Sequence, residues 1–366
     1  MQSRSFLLAV VFLIAKRSST HTRAPVSASP TQGPSRRLNP DRGGPINQEV
    51  ELSEKPAAAF QTCSLLESLA CAWVGVADVA EAARLLFEAV GLHLLADGVL
   101  GDGRRWVLLG ERGASSGMVC VVEDRIRPSG AGLPRAWDSV EIVVGDVDAA
   151  AERLEGRSGV VRVWGPRDTD LSDLGSNVHR SGVWRMPWGT HLLLTMAVTQ
   201  PVNRSFPSAA EGGRVFEVHL RTDRFDRALD LYAGALQMPV LMEMHGTHGL
   251  FQDAWGLPAG TPVTMSLLKS GGPGTGGGAV ELQGHAAASL QPRHADTGTA
   301  GGTCMVTFAS ADLAAAHHAV RSAGFRLLRE PAPRTHGPFT GRRSFVVVGA
   351  EGERLEVVET VQREGR

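Results

Sequence analysis

FEVHLRTDRFDRALDLYAGAL, residues 216–236, is the stretch on which the fold turns. Its first seven residues alternate like a half-buried strand, with Phe216, Val218 and Leu220 on one face and Glu217, His219 and Arg221 on the other. Asp223 then stands where a helix N-cap belongs, and an Ala/Leu-rich helical segment follows it. A carboxylate beside an imidazole fits a metal site, a proton-transfer pair or a solvated outer face. The rest of the chain has to choose among them.

The same pattern occurs four times: an apolar strand, an Asp, then an Ala-rich helix closing on or near glycine. The other copies are CAWVGVADVAEAARLLFEAVG (71–91), SVEIVVGDVDAAAERLEGRSG (139–159) and MVTFASADLAAAHHAVRSAG (305–324). The Asp residues at 78, 146, 223 and 312 are 68, 77 and 89 residues apart, too far for a solenoid repeat and suited to a β-α-β-β-β unit. Short β-rich runs follow each helix, among them WVLLGE and MVCVVED after the first, and SFVVVG and RLEVVET after the fourth. One helix on a few strands buries too little surface alone, so the units should pair. Residues 196–213, rich in Pro, Ser, Ala and Gly, separate units one and two from units three and four. The reading is an α+β chain of four βαβββ modules forming two domains, 66–195 and 214–361, with all pairing possible inside one chain, so that a monomer suffices.

The composition agrees with a soluble globular body. Of 366 residues, 43% are apolar, enough to fill two ordinary cores. Residues 1–48 hold seven Lys or Arg and a single acid, so the net −1 of the chain leaves about −7 for the remainder. A mildly acidic body without a basic stripe argues against nucleic acid as partner. The apolar run Phe6 to Ala15 is shorter than the ~20 residues a membrane-spanning helix needs. With the basic, hydroxyl-rich stretch behind it, the run reads as a presequence within residues 1–58, directing entry to the secretory pathway and on to a plastid, or secretion as the alternative. The mature form then needs no membrane. Cys63, Cys71, Cys120 and Cys304 show no zinc-type spacing, and Asn203-Arg204-Ser205 is a glycosylation sequon that matters only in a secretory lumen.

Strand, Asp, helix with a Leu-Tyr or Leu-Phe pair, then strands ending in GERLEVVET resemble the vicinal oxygen chelate superfamily, which includes glyoxalase I, extradiol dioxygenases and bleomycin-resistance proteins. The resemblance covers about residues 66–361. It implies paired modules whose sheets form a cleft, with a divalent metal held by first and last strands of two modules. Glu281 in GAVELQGH and Glu356 in GERLEVVE match the last-strand positions. Counting back seven residues from the Asp gives Phe216 and Met305 at the first-strand positions, neither of them a ligand for a hard divalent ion, while the first two modules have Cys71 and Ser139 there. The third module runs one residue long, however, and a second register brings Glu217 and His219 to the cleft. The implied metal set is therefore Glu281, Glu356, His219 and Glu217, with Glu281 and Glu356 also as the catalytic carboxylates. The ion would be Zn, Ni, Fe or Mn, or none if the site has decayed. Leu193 stands at the last-strand position of the second module, so the N-terminal half is expected to serve structure or ligand shape, with His191 able to line a pocket.

Two functions stay open. One is a glyoxalase-like lyase or isomerase acting on a small carbonyl or oxygen-chelating substrate through a divalent metal. The other is a metal-free ligand-binding protein of the resistance type, favoured by Phe216 and Met305. Other motifs read blandly. Gly113-Ala-Ser115-Ser-Gly117 precedes a strand and is a hairpin turn rather than a hydrolase elbow. Residues 271–278 (GGPGTGGG) are a loop. His317 and His318 sit about 100° apart on a helix, His245 and His248 lie in a glycine-flanked loop, and Arg342 and Arg343 solvate a turn.

Overall fold

The computed structural model describes residues 64–124, 133–134, 136–170, 178–199, 213–247, 252, 255, 257–271, 277–285, 290–291 and 302–360. The expected presequence, the Asn203 sequon, His248 and most of the 196–213 linker lie outside the described residues. The four repeats are four modules. The first consists of β1 (Ser68–Val76), α1 (Val79–Leu85, continued by a π-turn over Leu86–Val90), β2 (His93–Val99), β3 (Arg105–Gly110) and β4 (Met118–Glu123). The second consists of β5 (Ala136–Val143), α2 (Val147–Leu154), β6 (Val161–Asp170), β7 (Val178–Arg185) and β8 (His191–Ala197). β9 (Arg214–Thr222), α3 (Phe225–Leu229, with a π-turn over Asp230–Ala235), β10 (Val240–Gly246), β11 (Val263–Lys269) and β12 (Ala279–His285) form the third. The fourth is β13 (Gly302–Ser310), α4 (Leu313–Ser322), β14 (Arg326–Pro333), β15 (Arg343–Val348) and β16 (Arg354–Glu359).

The modules pair differently from their order in the chain. One eight-stranded sheet runs β14-β15-β16-β13-β1-β4-β3-β2 and joins modules four and one; the other runs β10-β11-β12-β9-β5-β8-β7-β6 and joins modules three and two. At each junction the two first strands meet antiparallel, Ala72 opposite Val306 and Val218 opposite Val140. Domains made of residues 66–195 and 214–361 are therefore not what forms. Four units of one pattern offer equivalent first-strand edges, so periodicity identifies the modules without naming their partners. In every module the first strand lies parallel to the last, which brings four strands together at each sheet centre.

Local chemistry fixes the helix starts. Asp78 accepts from the amides of Ala80 and Glu81, Asp146 from Ala149 and Asp312 from Ala315, which satisfies amides the first turn leaves free. Asp223 departs from this expectation, because α3 has Arg224 at its cap and no side-chain cap of its own. Glu351, from the β15–β16 turn of module four, takes over. Its Oε1 accepts from Thr222 Oγ1 at 2.7 Å, Asp223 N at 3.1 Å and Arg224 N at 3.2 Å. Residues 113–117 make the turn between β3 and β4, as a hairpin reading requires.

Candidate metal and proton-transfer site

The site lies at the centre of the sheet that joins modules two and three. Val218 pairs with Val140 and Val280, and Leu220 with Leu282. That side meets the helix, since Phe225 of α3 lies against Gly284, two residues on from Leu282. Alternation then sends Glu217, His219, Arg221, Glu281 and Gln283 to the other face, so the register question resolves toward Glu217 and away from Phe216. The ladder pairing slips between Val215 and Glu217, leaving Phe216 as a bulged residue just ahead of this alternation.

Glu141, directly opposite Glu217, completes the group. His219 Nε2 lies 3.2 Å from Glu141 Oε2 and 3.4 Å from Glu217 Oε1. The ligand-type atoms of Glu141, Glu217 and His219 fall within 4.8 Å of one another, all three residues being buried. On the other side of the ring, His219 Nδ1 is 3.9 Å from Glu281 Oε1 and 3.3 Å from Gln283 Nε2, and the Gln283 amide donates to Glu281 at 2.5 Å. Glu281 is the most accessible of these carboxylates, with 12% of its side chain exposed.

Crowding like charges away from water has the expected electrostatic result. Burial raises the Glu141 and Glu217 carboxyls above the usual range against the pull of His219. Burial, with the Glu217 charge added, brings Glu281 to about 7 despite His219. For His219 burial works downward, but the Glu281 charge and the bonds to Glu141 and Glu217 outweigh it and hold the imidazolium well above its ordinary value. Three carboxylates converging on one imidazole away from water carry more negative charge than a single imidazolium balances, and their mixed O/N donors suit Zn, Ni, Fe or Mn. The residues present fit a divalent ion.

A second slip in the ladder, between His219 and Leu220, leaves Asp138 unpaired on β5 and turns its carboxylate to the same face. Asp138 Oδ2 lies 2.8 Å from Arg221 Nη2, and Asp138 Oδ1 lies 3.2 Å from His191 Nδ1. Burial would raise Asp138, yet Arg221 and His191 hold it at about 2. Trp255 covers both partners, with the Arg221 guanidinium 3.8 Å above its ring centre and His191 edge-on at 4.9 Å.

Glu356 belongs elsewhere. It is wholly buried in the other sheet, where it accepts from Arg329 at 2.7 Å, Arg334 at 2.6 Å, Ser344 at 3.0 Å and Thr307 at 2.9 Å. Its lone pairs are spoken for by two guanidinium groups and two hydroxyls, which suits a structural ion pair rather than a metal ligand or a proton shuttle. The rest of that face is core: Cys71, Trp73, Trp106, Leu108, Met118, Cys120 and Phe339 pack together, with Met305 against them. The expected set of Glu217, His219, Glu281 and Glu356 is thus divided three to one, and the fourth place is taken by Glu141, from the half assigned only to structure. The signal was present in SVEIVV, where a lone carboxylate interrupts an apolar strand five residues before the capping Asp146. Other candidates have ordinary partners, His317 with Glu330 at 2.8 Å, His318 with Ser322, His245 with Thr264 and Arg342 with the Glu359 carbonyl.

Comparisons with known proteins agree with this architecture. Residues 214–357 match the family described as the Glyoxalase/Bleomycin resistance protein/Dioxygenase superfamily. The structure is similar to glyoxalase I from Zea mays, with a TM-score of 0.56 and 16% identity over 80% of this chain and 92% of that one. It is also similar to a protein from Bacillus subtilis subsp. subtilis str. 168 provisionally described as a dioxygenase, with a TM-score of 0.55 and 14% identity over 81% and 86% of the two chains. At such identities the likeness is one of fold. No curated protein matches the chain by sequence.

Proposed function

Since residues 214–357 match the Glyoxalase/Bleomycin resistance protein/Dioxygenase superfamily, we propose that the protein is a metal-dependent lyase or isomerase acting on a small substrate with adjacent oxygens. The observation that carries the reading is the convergence of Glu141, Glu217 and His219 within 4.8 Å, with Glu281 beside them. Glu141, Glu217 and His219 would hold the ion. When bound, a divalent ion supplies Lewis acidity toward a substrate carbonyl.

Glu281 is assigned the proton transfer. Its accessibility sets it at the substrate side, and a carboxyl tuned to about 7 can both take and return a proton near neutrality. It would remove the proton from the carbon next to the carbonyl and return it to the neighbouring carbon or oxygen, so that hydrogen is relocated with no net redox change. Gln283 holds the Glu281 oxygen in place through its amide. Trp255 and the strand ladder keep water from the buried carboxylates. One such site is assigned per chain, because the matching face of the other sheet is filled by Trp73, Cys120 and the Glu356 ion pair.

The test is metal analysis of the chain freed of residues 1–58. About one divalent ion per chain is expected, lost in Glu141→Gln and Glu217→Gln and retained in Glu281→Gln. A protein that binds no divalent ion at neutral pH, and whose activity withstands chelator, would overturn the reading.

A further inference from the structure

Several buried polar atoms of this face have no hydrogen-bond partner among the described residues: Arg221 Nε and Nη1, Ser139 Oγ, Trp255 Nε1 and Gln283 Oε1. They are neighbours. Ser139 faces His219 across the ladder, Gln283 pairs with Arg221 along β9 and β12, and the Trp255 ring lies against the Arg221 guanidinium. Leaving such groups dry and unpaired is unfavourable, so a cluster of them on one face points to an occupant that completes their bonds.

Their chemistry says which occupant. Arg221 Nε and Nη1 and Trp255 Nε1 only donate, Ser139 can donate, and the Gln283 oxygen is the lone acceptor among them. Stacking on Trp255 covers the plane of the guanidinium, while its N–H groups point outward in that plane, the direction from which a carboxylate is received. The Asp138 carboxylate lies 2.8 Å from Nη2 without forming an aligned hydrogen bond, so it balances the buried charge and leaves the Nε and Nη1 donors unbonded. Arg221 follows His219 by two residues on the same face, a separation of roughly 7 Å along the strand. A group bound to it and a carbon beside Glu281 can belong to one small molecule.

Resting on the reading of Glu141, Glu217 and His219 as an ion site, we propose that the substrate is a small carboxylic acid with an oxygen on its α-carbon, its carboxylate held by Arg221 with Ser139 and Trp255 as further donors. The charged end is fixed by Arg221, and the α-oxygen is turned toward Glu281 and the ion-binding residues.

The test compares lactate with lactamide, which share the α-oxygen and differ in the anionic group, by calorimetric titration of the Zn-loaded mature chain. Lactate is expected to bind at least tenfold more tightly. In Arg221→Met that preference should collapse to less than twofold with zinc content unchanged, and Arg221→Lys, which keeps the charge without the fork, should retain part of it. Equal binding of the two by the unaltered protein overturns the proposal, whatever the variants do. So does a preference that persists in Arg221→Met, since the ion alone would then account for it. Zinc content is measured separately. A chain without zinc that still prefers lactate through Arg221 removes the ion reading and leaves the carboxylate subsite standing.

Discussion

Glu141 and His219, 78 residues apart and in different modules, are diagonal neighbours on adjacent strands with Oε2 and Nε2 3.2 Å apart. The site therefore depends on both halves of the chain. Glu141→Gln should remove metal binding as fully as Glu217→Gln does, although Glu141 lies in the N-terminal half. Relieving like-charge crowding in a buried cluster, the same change should leave the metal-free protein as stable as the unaltered chain or more stable. Metal content and chemical denaturation read the two effects; a Glu141→Gln protein with full metal content would remove this residue from the site.

Glu356 has the opposite profile. Removing it leaves Arg329 and Arg334 beside it without their shared counter-charge, Arg334 being 9% exposed. Glu356→Ala should lower stability by about 3–5 kcal/mol, the cost of breaking a buried pair, while metal content stays the same. A loss of metal with unchanged denaturation midpoint would reverse the assignment.

The pH response should include a carboxyl outside the ion-type cluster. Glu353 is buried, accepts from Tyr232 Oη at 3.2 Å and from the Glu351 amide at 2.8 Å, and is raised by burial to about 7. A folded-state value above the unfolded one means that its stabilising contribution is complete below about pH 4.5 and is lost as pH rises to 7. The loss is about 3 kcal/mol at most. Glu353→Gln keeps the acceptor without the titration, so its unfolding free energy should vary less between pH 5 and 8 than that of the parent, the remainder coming from Glu281 at about 7.

Glu351 caps a helix in another module, and its replacement should be felt there. Glu351→Ala removes the acceptor shared by the Thr222 hydroxyl and the Asp223 and Arg224 amides, with Thr222 Oγ1 still accepting from Arg224, and should cost about 1–2 kcal/mol. Amide hydrogen exchange at 222–228 should accelerate more than in α4, whose Asp312 cap is intact.

Splitting the chain in the 200–212 segment tests the pairing itself. Each fragment would hold one partner of every sheet junction. The pieces are expected to be unfolded or aggregated when expressed separately, and to recover cooperative unfolding when co-expressed. Two independently folded halves would contradict the sheet order β14-β15-β16-β13-β1-β4-β3-β2.

Much of this was legible in the residues. Alternation and the Asp positions identify four strands and helices, because both are local effects acting within a few residues. Glu217, His219 and Glu281 could be placed on one face once the extra residue of the third module was counted. What local pattern could not supply was long-range. The choice between equivalent strand edges put Glu141 beside Glu217 and sent Glu356 to the other sheet. The slip at Asp138, which turns that carboxylate toward Arg221, is a two-strand property invisible in either strand alone. Asp223 stands one place ahead of the cap position, and the acceptor for the backbone there, Glu351, arrives from 128 residues away.

The pairing of first module with fourth and second with third is nested, like brackets, and this fixes an order of assembly in time. During synthesis, β5 and β9 can meet as soon as module three has emerged, whereas β1 has no edge partner until β13 follows more than two hundred residues behind it. The sheet that carries the ion-type residues closes first. Until the fourth module is complete, the first must hold an uncovered strand edge beside a finished neighbour, which makes that interval the one in which this chain is most exposed to aggregation.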